Sequence, residues 1–158
     1  MSPSRLAKGL ARRLWLVCAV GLAAAQLVRP VHTNPPSDGE LVAPSGTSEI
    51  LRRACYDCHS NETRWPWYAS VAPLSWLVQH DVDEGRRRLN FSSWQDNASD
   101  PATAAHKLDE IAKTVARGNM APWHYRLLHP DARLSDEDRA ALARWAAEQA
   151  RRFATPTS

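Results

Sequence analysis

Residues 54–59 read ACYDCH and contain the pattern C-x-x-C-H, formed by Cys55, Cys58 and His59. On a helix, residues three and four positions apart share one face, so the two thiols and the imidazole converge on one object. A haem suits this arrangement, because thiols add to its two vinyl groups and the imidazole supplies an axial nitrogen to the iron. The motif predicts one covalently attached haem c.

Three other interpretations of the motif account for less of the sequence. A zinc site requires four ligands, and the chain has no second C-x-x-C or matching histidine pair. A thioredoxin-like redox pair is expected within a βαβ pattern, which is absent from the sequence. A structural disulfide leaves the adjacent His59 without a role. Haem attachment uses all three side chains.

The second axial ligand is expected to be Met120, because the only other methionine is the first residue. It lies in the stretch GNMAPW, residues 118–123, where Gly118 and Pro122 favour an irregular loop. A methionine that fills a gap in the core is the alternative. The other candidate ligands are four histidines, of which His124 is the nearest to Met120 in sequence: His80, His106, His124 and His129.

Residues 1–29 resemble an export segment. Arg12 and Arg13 precede an apolar run over residues 14–28, LWLVCAVGLAAAQLV, in which Gln26 is the only polar side chain. Such a segment sends the following chain across the membrane. We expect a signal-anchor, or a signal peptide cleaved near residues 23–25. The remainder then lies on the outer, periplasmic side of the cytoplasmic membrane.

The charge distribution argues against a nucleic-acid partner. The net charge is +3, but the first 30 residues hold five basic and no acidic residues, leaving 15 basic against 17 acidic in the remainder. The body is therefore mildly acidic, and we interpret the run from Arg86 to Arg88 as a solvated helix face. Residues 30–47 are rich in Pro, Gly and Ser and are expected to form a linker.

Residues 48–152 are expected to form an all-α domain, since no stretch alternates like a strand. Helix starts are predicted near Thr47, at Pro73, at Pro101 after the cap Asp100, and at Ser135. Gly118 is expected to end the third of these helices. The predicted fold is a cytochrome c-like set of helices around one covalent haem, preceded by the N-terminal membrane segment.

Five stretches of the chain, the first of which contains the C-x-x-C-H motif, together resemble a known family. They read CYDCHSNETRWPWY (55–68), PLSW (73–76), LNFSSW (89–94), GNMAPWHY (118–125) and LHPDARLS (128–135). Together with the linker sequence RPVHTNPP (29–36), they resemble the bacterial haem-binding domain family of membrane-anchored, single-haem cytochrome c-like proteins. The resemblance implies that Cys55 and Cys58 attach haem and that His59 is its proximal ligand. Met120 matches the family's Met-Pro-Pro loop, in which Ala121 here replaces the first proline.

Two classes of function follow. With His59 and Met120 on the iron, both axial positions are filled, and one-electron transfer to a redox partner protein is the expected role, without catalysis. The alternative is a peroxidase-like enzyme or sensor in which Met120 dissociates and His124 or His80 works in the opened pocket. The sequence does not identify the redox partner.

Overall fold

The computed structural model describes residues 3–155, with side chains from residue 7 onwards. Helices are the main regular structure of the described residues, which contain no strand, and this confirms the predicted all-α class. The α-helices are α1 (Pro3–Ala25), α2 (Ser45–Ala54), α3 (Tyr56–His59), α4 (Leu74–Arg88), α5 (Trp94–Ala98), α6 (Pro101–Ala116), α7 (Trp123–Leu128) and α8 (Asp136–Ala154). Over residues 3–155, no helix combines the length and the apolar character needed to cross a membrane.

The chain divides into two compact units. The first consists of Met1–His32 and Trp65–His80, and the second of Thr33–Arg64 and Asp81–Ser158. Within the first unit, the Gln26 side chain exchanges two hydrogen bonds with the backbone of Ala72, at 3.0 and 3.2 Å. The indole of Trp76 donates to the Val28 carbonyl at 2.9 Å. Polar contacts therefore join residues 26–28 to residues 72–76.

The second unit contains the main hydrophobic core. Its centre is the packing of α6 against α8, where Leu108 and Leu142 are fully buried. The α2 helix contributes Leu51, and Phe91 enters from the short 3₁₀ turn Phe91–Ser93. Apolar side chains on one stripe of each helix produce this core, because each helix buries the face that repeats every three to four residues.

Local sequence signals set the ends of α6 and α8 as predicted. Asp100 accepts hydrogen bonds from the backbone N–H groups at positions 102 and 103, and Pro101 is the first helical residue. Gly118 follows α6 with a φ of 69°, a conformation that favours glycine. Ser135 and Asp138 form a capping box at the start of α8.

Three features differ from the sequence expectations. The α2 helix begins at Ser45, two residues before Thr47, because the Pro44 carbonyl already accepts the N–H of Ser48. In α4 the apolar face is only partly buried, with Leu74 and Leu77 exposed. The additional helix α7 follows the loop of Met120.

The arginine run is also not uniformly solvated. The guanidinium of Arg86 is half-buried and donates to the carbonyls of Ser60 and Thr33 and to the side chains of Asn34 and Thr63, at 2.8 to 3.0 Å. Arg87 and Arg88 remain exposed and pair with Glu84. Arg86 therefore connects α4 to residues 33–34 and 60–63 of the second unit, whereas Arg87 and Arg88 lie on the solvated face.

Residues 33–44 contain no helix or strand, yet they are tied to the second unit. Backbone hydrogen bonds of 2.8 Å join Asp38 to Ser92 and Leu41 to Phe91. Leu41 is buried in the core cluster. This part of the segment expected to be a linker therefore belongs to the second unit.

Candidate haem site

Residues 55–59, which we call the motif turn, lie where α2 passes into α3. The Cys55 N–H donates to the Leu51 carbonyl at 2.8 Å, and the His59 N–H donates to the Cys55 carbonyl at 2.9 Å. These bonds keep the turn helical from Cys55 to His59, so the two residues lie on one face. Cys55 and Cys58 are both free thiols.

The imidazole of His59 is oriented by two backbone carbonyls. Its Nδ1 lies 3.0 Å from the Gly85 oxygen and 3.1 Å from the Leu89 oxygen. Because carbonyls only accept, Nδ1 carries the proton and Nε2 keeps its lone pair. Burial lowers the pKa of His59, outweighing the opposite effect of these hydrogen bonds, so the ring is neutral at pH 7. A neutral, oriented imidazole is the form that binds a metal.

A cavity of about 330 Å³ opens beside the motif turn. Cys55, His59 and Met120 all line it. Its walls are mostly apolar and are completed by polar side chains: Leu51, Leu89, Phe91, Ile111 and Val115, with Arg88, Lys107, Glu110 and Thr114. The volume lies within the range of about 300–1,000 Å³ found for small-molecule and cofactor sites.

Met120 reaches this cavity from a loop between two helices. It is half-buried and follows Gly118, where α6 has ended. The next residue, Ala121, is buried in the core cluster and holds the backbone of the loop in place. A thioether and an imidazole from distant parts of the chain thus line the same cavity.

The other histidines considered from the sequence have different surroundings. His59 is the only histidine among the described residues that line the cavity. His80 is exposed, and His106 faces Glu110 at 3.7 Å on the surface of α6. The Nε2 of His124 lies 2.8 Å from an Asp81 carboxylate oxygen. The ring of His129 stacks on Tyr125, with centroids 4.0 Å apart.

The two thiols are protonated at neutral pH. Burial raises the pKa of Cys55 to about 12, against a smaller opposing effect of Arg53. Burial also raises the pKa of Cys58 to about 12, and the nearby carboxylates of Asp81 and Asp57 act in the same direction. Cys58 does not line the cavity, and its backbone lies against Gly85. The motif turn thus presents one thiol to the cavity and the other beside it.

Asp57, between the two cysteines, is the centre of a hydrogen-bond network that the sequence analysis did not identify. Its carboxylate accepts from the Tyr125 hydroxyl at 2.6 Å and from the Arg64 side chain at 3.1 Å. Burial alone would raise the pKa of Asp57, but the hydrogen bonds from Arg64 and Tyr125 outweigh it and lower the pKa. The only sequence signal was an acidic residue between the two cysteines of the motif.

These features define a class of protein: a helical domain in which Cys55 and His59 of the C-x-x-C-H motif line one cavity together with a methionine. The profile of the haem-binding domain family matches residues 18–148, so the chain belongs to this family. The chain is also similar to cytochrome c peroxidase Ccp of Escherichia coli (strain K12), with 23% identity over 138 residues. That similarity covers 84% of this chain and 30% of the relative's length. No solved structure matches the chain.

The donor set fits a haem. His59 has an Nε2 lone pair and a fixed Nδ1 hydrogen, as a metal-bound histidine requires. A thioether, which Met120 offers at this cavity, is a soft ligand that haem iron accepts, and the apolar walls suit a porphyrin ring. The protein is therefore a haem protein, in which Cys55, Cys58, His59 and Met120 are the residues that would hold the group. When bound, haem supplies one-electron redox chemistry.

Proposed function

We propose that this protein is a mono-haem c-type cytochrome that carries electrons at the outer face of the bacterial cytoplasmic membrane. Cys55 and Cys58 form the thioether bonds, and His59 and Met120 are the axial ligands. The observation that carries the proposal is the shared cavity of Cys55, His59 and Met120. With both axial positions filled by protein side chains, the iron exchanges electrons without binding a substrate.

The proposed location is supported by the N-terminal sequence. Basic residues of the first 13 positions precede the apolar stretch 14–28, the order found in export segments. The partner is a redox protein on the same side of the membrane, and no nucleic acid is involved. Cell fractionation, with the intact mass of the purified protein, tests the location and any cleavage of residues 1–29.

Attachment is tested by expression in cells competent for cytochrome c maturation. The parent protein should retain haem on a denaturing gel, whereas the Cys55→Ala/Cys58→Ala double variant should lose it, because thioether bonds survive denaturation. Cys18→Ala serves as the control, since this cysteine lies in α1 outside the motif. Haem retained by the double variant under denaturing conditions would disprove covalent attachment.

Axial ligation is tested by Met120→Ala. The variant should keep covalent haem but lose the weak thioether-to-iron charge-transfer band at the red end of the oxidised spectrum. Its reduction potential should fall, because Met ligation favours the ferrous state. His106→Ala is the control, since this exposed residue does not itself line the cavity. Spectra of Met120→Ala that match the parent in both oxidation states would show that another group ligates the iron.

A peroxidase-like activity is the second candidate, favoured by the similarity to cytochrome c peroxidase Ccp. His124, on the segment after Met120, is hydrogen-bonded to Asp81 on α4, and this pair could supply an acid–base group. Reduction of hydrogen peroxide to water takes two electrons and two protons, so the assay supplies a reduced electron donor. Steady turnover that is lost in His124→Ala would favour this candidate, and a low-spin protein without turnover would favour electron transfer.

A further inference from the structure

In the segment that follows Met120, only Ala121 is fully buried, and Tyr125 packs partly buried against the core cluster. The segment consists of Ala121, Pro122 and the six-residue helix α7. No residue of α7 is buried. Its large apolar side chains are exposed, with Trp123 at 69% and Leu127 at 62%. A helix this short is not stable on its own in water, so its position depends on specific side-chain contacts.

One of these contacts leads directly to the motif turn. The Tyr125 hydroxyl donates to Asp57 at 2.6 Å, across a sequence separation of 68 residues. Asp57 is 7% exposed and stands between Cys55 and Cys58. The ring of Tyr125 stacks on His129 and packs against the core cluster, so the hydroxyl has little freedom to move. A short bond to a buried carboxylate is among the stronger hydrogen bonds in proteins.

We propose that Tyr125 is a positioning residue for the haem iron, holding Met120 at the axial position through its hydrogen bond to Asp57. This inference rests on the proposed function, in which Met120 is the axial ligand. The motif turn carries both attachment residues and His59. The bond therefore ties the segment that follows the second ligand to the turn that supplies the first. Without this hydrogen bond, the loop of Met120 loses this connection to the motif turn.

The test compares the full-length, haem-loaded protein with Tyr125→Phe, which removes only the hydroxyl and keeps the ring packing. Imidazole is titrated into the ferric protein. Imidazole must displace Met120, so its apparent affinity rises with the fraction of molecules in which the thioether has left. We expect the affinity to rise about tenfold, the effect of losing one hydrogen bond to a charged group. The thioether-to-iron charge-transfer band should weaken, while covalent haem content stays unchanged.

Tyr56→Phe is the matched control. Tyr56 is the neighbour of Asp57, and its hydroxyl donates to another carboxylate, that of Glu40, at 2.8 Å. Glu40 precedes α2 and lies far in sequence from Met120. The control removes an equivalent bond from the same turn, so it should change the imidazole affinity by less than twofold. A general loosening of the domain would instead raise the imidazole affinity equally in Tyr125→Phe and Tyr56→Phe.

A second variant keeps the proposal testable if Tyr125→Phe is poorly recovered. Asp57→Asn retains an acceptor but removes the charge, so it should raise the imidazole affinity by a smaller factor. In the Asp57→Asn background, Tyr125→Phe should raise the imidazole affinity by a smaller factor than it does in the parent, since the two residues form one interaction. Fully additive effects would show that they act independently and would overturn the proposal.

Met120→Ala distinguishes failure of this inference from failure of the proposed function. In that background imidazole should bind tightly, and Tyr125→Phe should add nothing. If Met120→Ala leaves the imidazole affinity at the parent value, Met120 is not the ligand and the proposed function fails. If Met120→Ala raises the affinity but Tyr125→Phe does not, ligation by Met120 stands and the positioning role of Tyr125 is wrong.

Discussion

Gly85 shows how one residue serves the site in two ways. Its carbonyl accepts the hydrogen bond from His59 Nδ1. A Cβ at this position would lie 2.2 Å from the Cys58 carbonyl oxygen and 2.8 Å from the carbonyl carbon, both of them backbone atoms. Glycine is therefore required at position 85, because α4 passes the motif turn too closely for any side chain.

Gly85→Ala should destabilise the haem-loaded protein by about 3 kcal/mol, the upper part of the range for overpacking, since the backbone must move. Urea denaturation followed by far-UV circular dichroism measures the change. Gly46→Ala is the control, because its added Cβ meets no described atom within 4 Å apart from its chain neighbours and its own helix backbone, and alanine favours helix α2. Equal stability of Gly85→Ala and the parent would mean that α4 and the motif turn are farther apart than described.

At the scale of elements, Arg86 joins α4 to two separate segments. Its four hydrogen bonds reach residues 33–34 on one side and residues 60–63 on the other. Burial lowers the pKa of this guanidinium, yet it remains charged at neutral pH. Its partners are neutral oxygens, so the bonds are charge-assisted and hold α4 beside the residues that follow the motif turn.

Arg86→Gln should lower the free energy of unfolding by about 2 kcal/mol, because hydrogen bonds to a charged group are lost and their partners are left partly unsatisfied. Arg87→Gln, the next residue in the run, should change it by less than about 0.5 kcal/mol, since an exposed ion pair contributes little. Thermal and urea denaturation of the two variants measure the difference. Equal losses in both would argue that the arginine run is a solvated face throughout.

Across the second unit as a whole, an ion pair connects the first helix to the last. The Arg53 guanidinium on α2 lies 2.6 Å from Asp138 on α8, and Asp138 also accepts the backbone N–H of Ser135. The hydrogen bond from Arg53, and then that from Ser135, lower the pKa of Asp138.

Asp138→Asn should reduce stability in a pH-dependent manner. Because the pKa of Asp138 is lower in the folded protein, its contribution is complete above the unfolded pKa of about 3.9 and is lost as the pH falls through the folded pKa. The gap between parent and variant should therefore be constant above about pH 5 and close in stronger acid. Glu137→Gln, at an adjacent exposed position, is the control. A gap that stays constant down to pH 2 would contradict the assignment.

The sequence by itself determined the helical class, the caps of α6 and α8, and the haem-binding family. These properties are local: a cap, a helix end or a C-x-x-C-H motif depends on residues within a few positions of each other. The predicted start of α2 at Thr47 was two residues late. The helix already begins at Ser45, because the Pro44 carbonyl accepts the first helical hydrogen bond. The additional helix α7 was missed because its six residues show no apolar periodicity.

Only the tertiary structure decided which distant groups meet. The carbonyls of Gly85 and Leu89 determine the tautomer of His59. The Tyr125 hydroxyl donates a hydrogen bond to Asp57, 68 positions away in sequence. Backbone carbonyls are present at every residue, so no sequence pattern marks the two that orient the imidazole. The same holds for Arg86, which is half-buried among its hydrogen-bond partners while the next two arginines remain exposed. Packing of the whole second unit determines these contacts, because each joins segments that local spacing cannot relate.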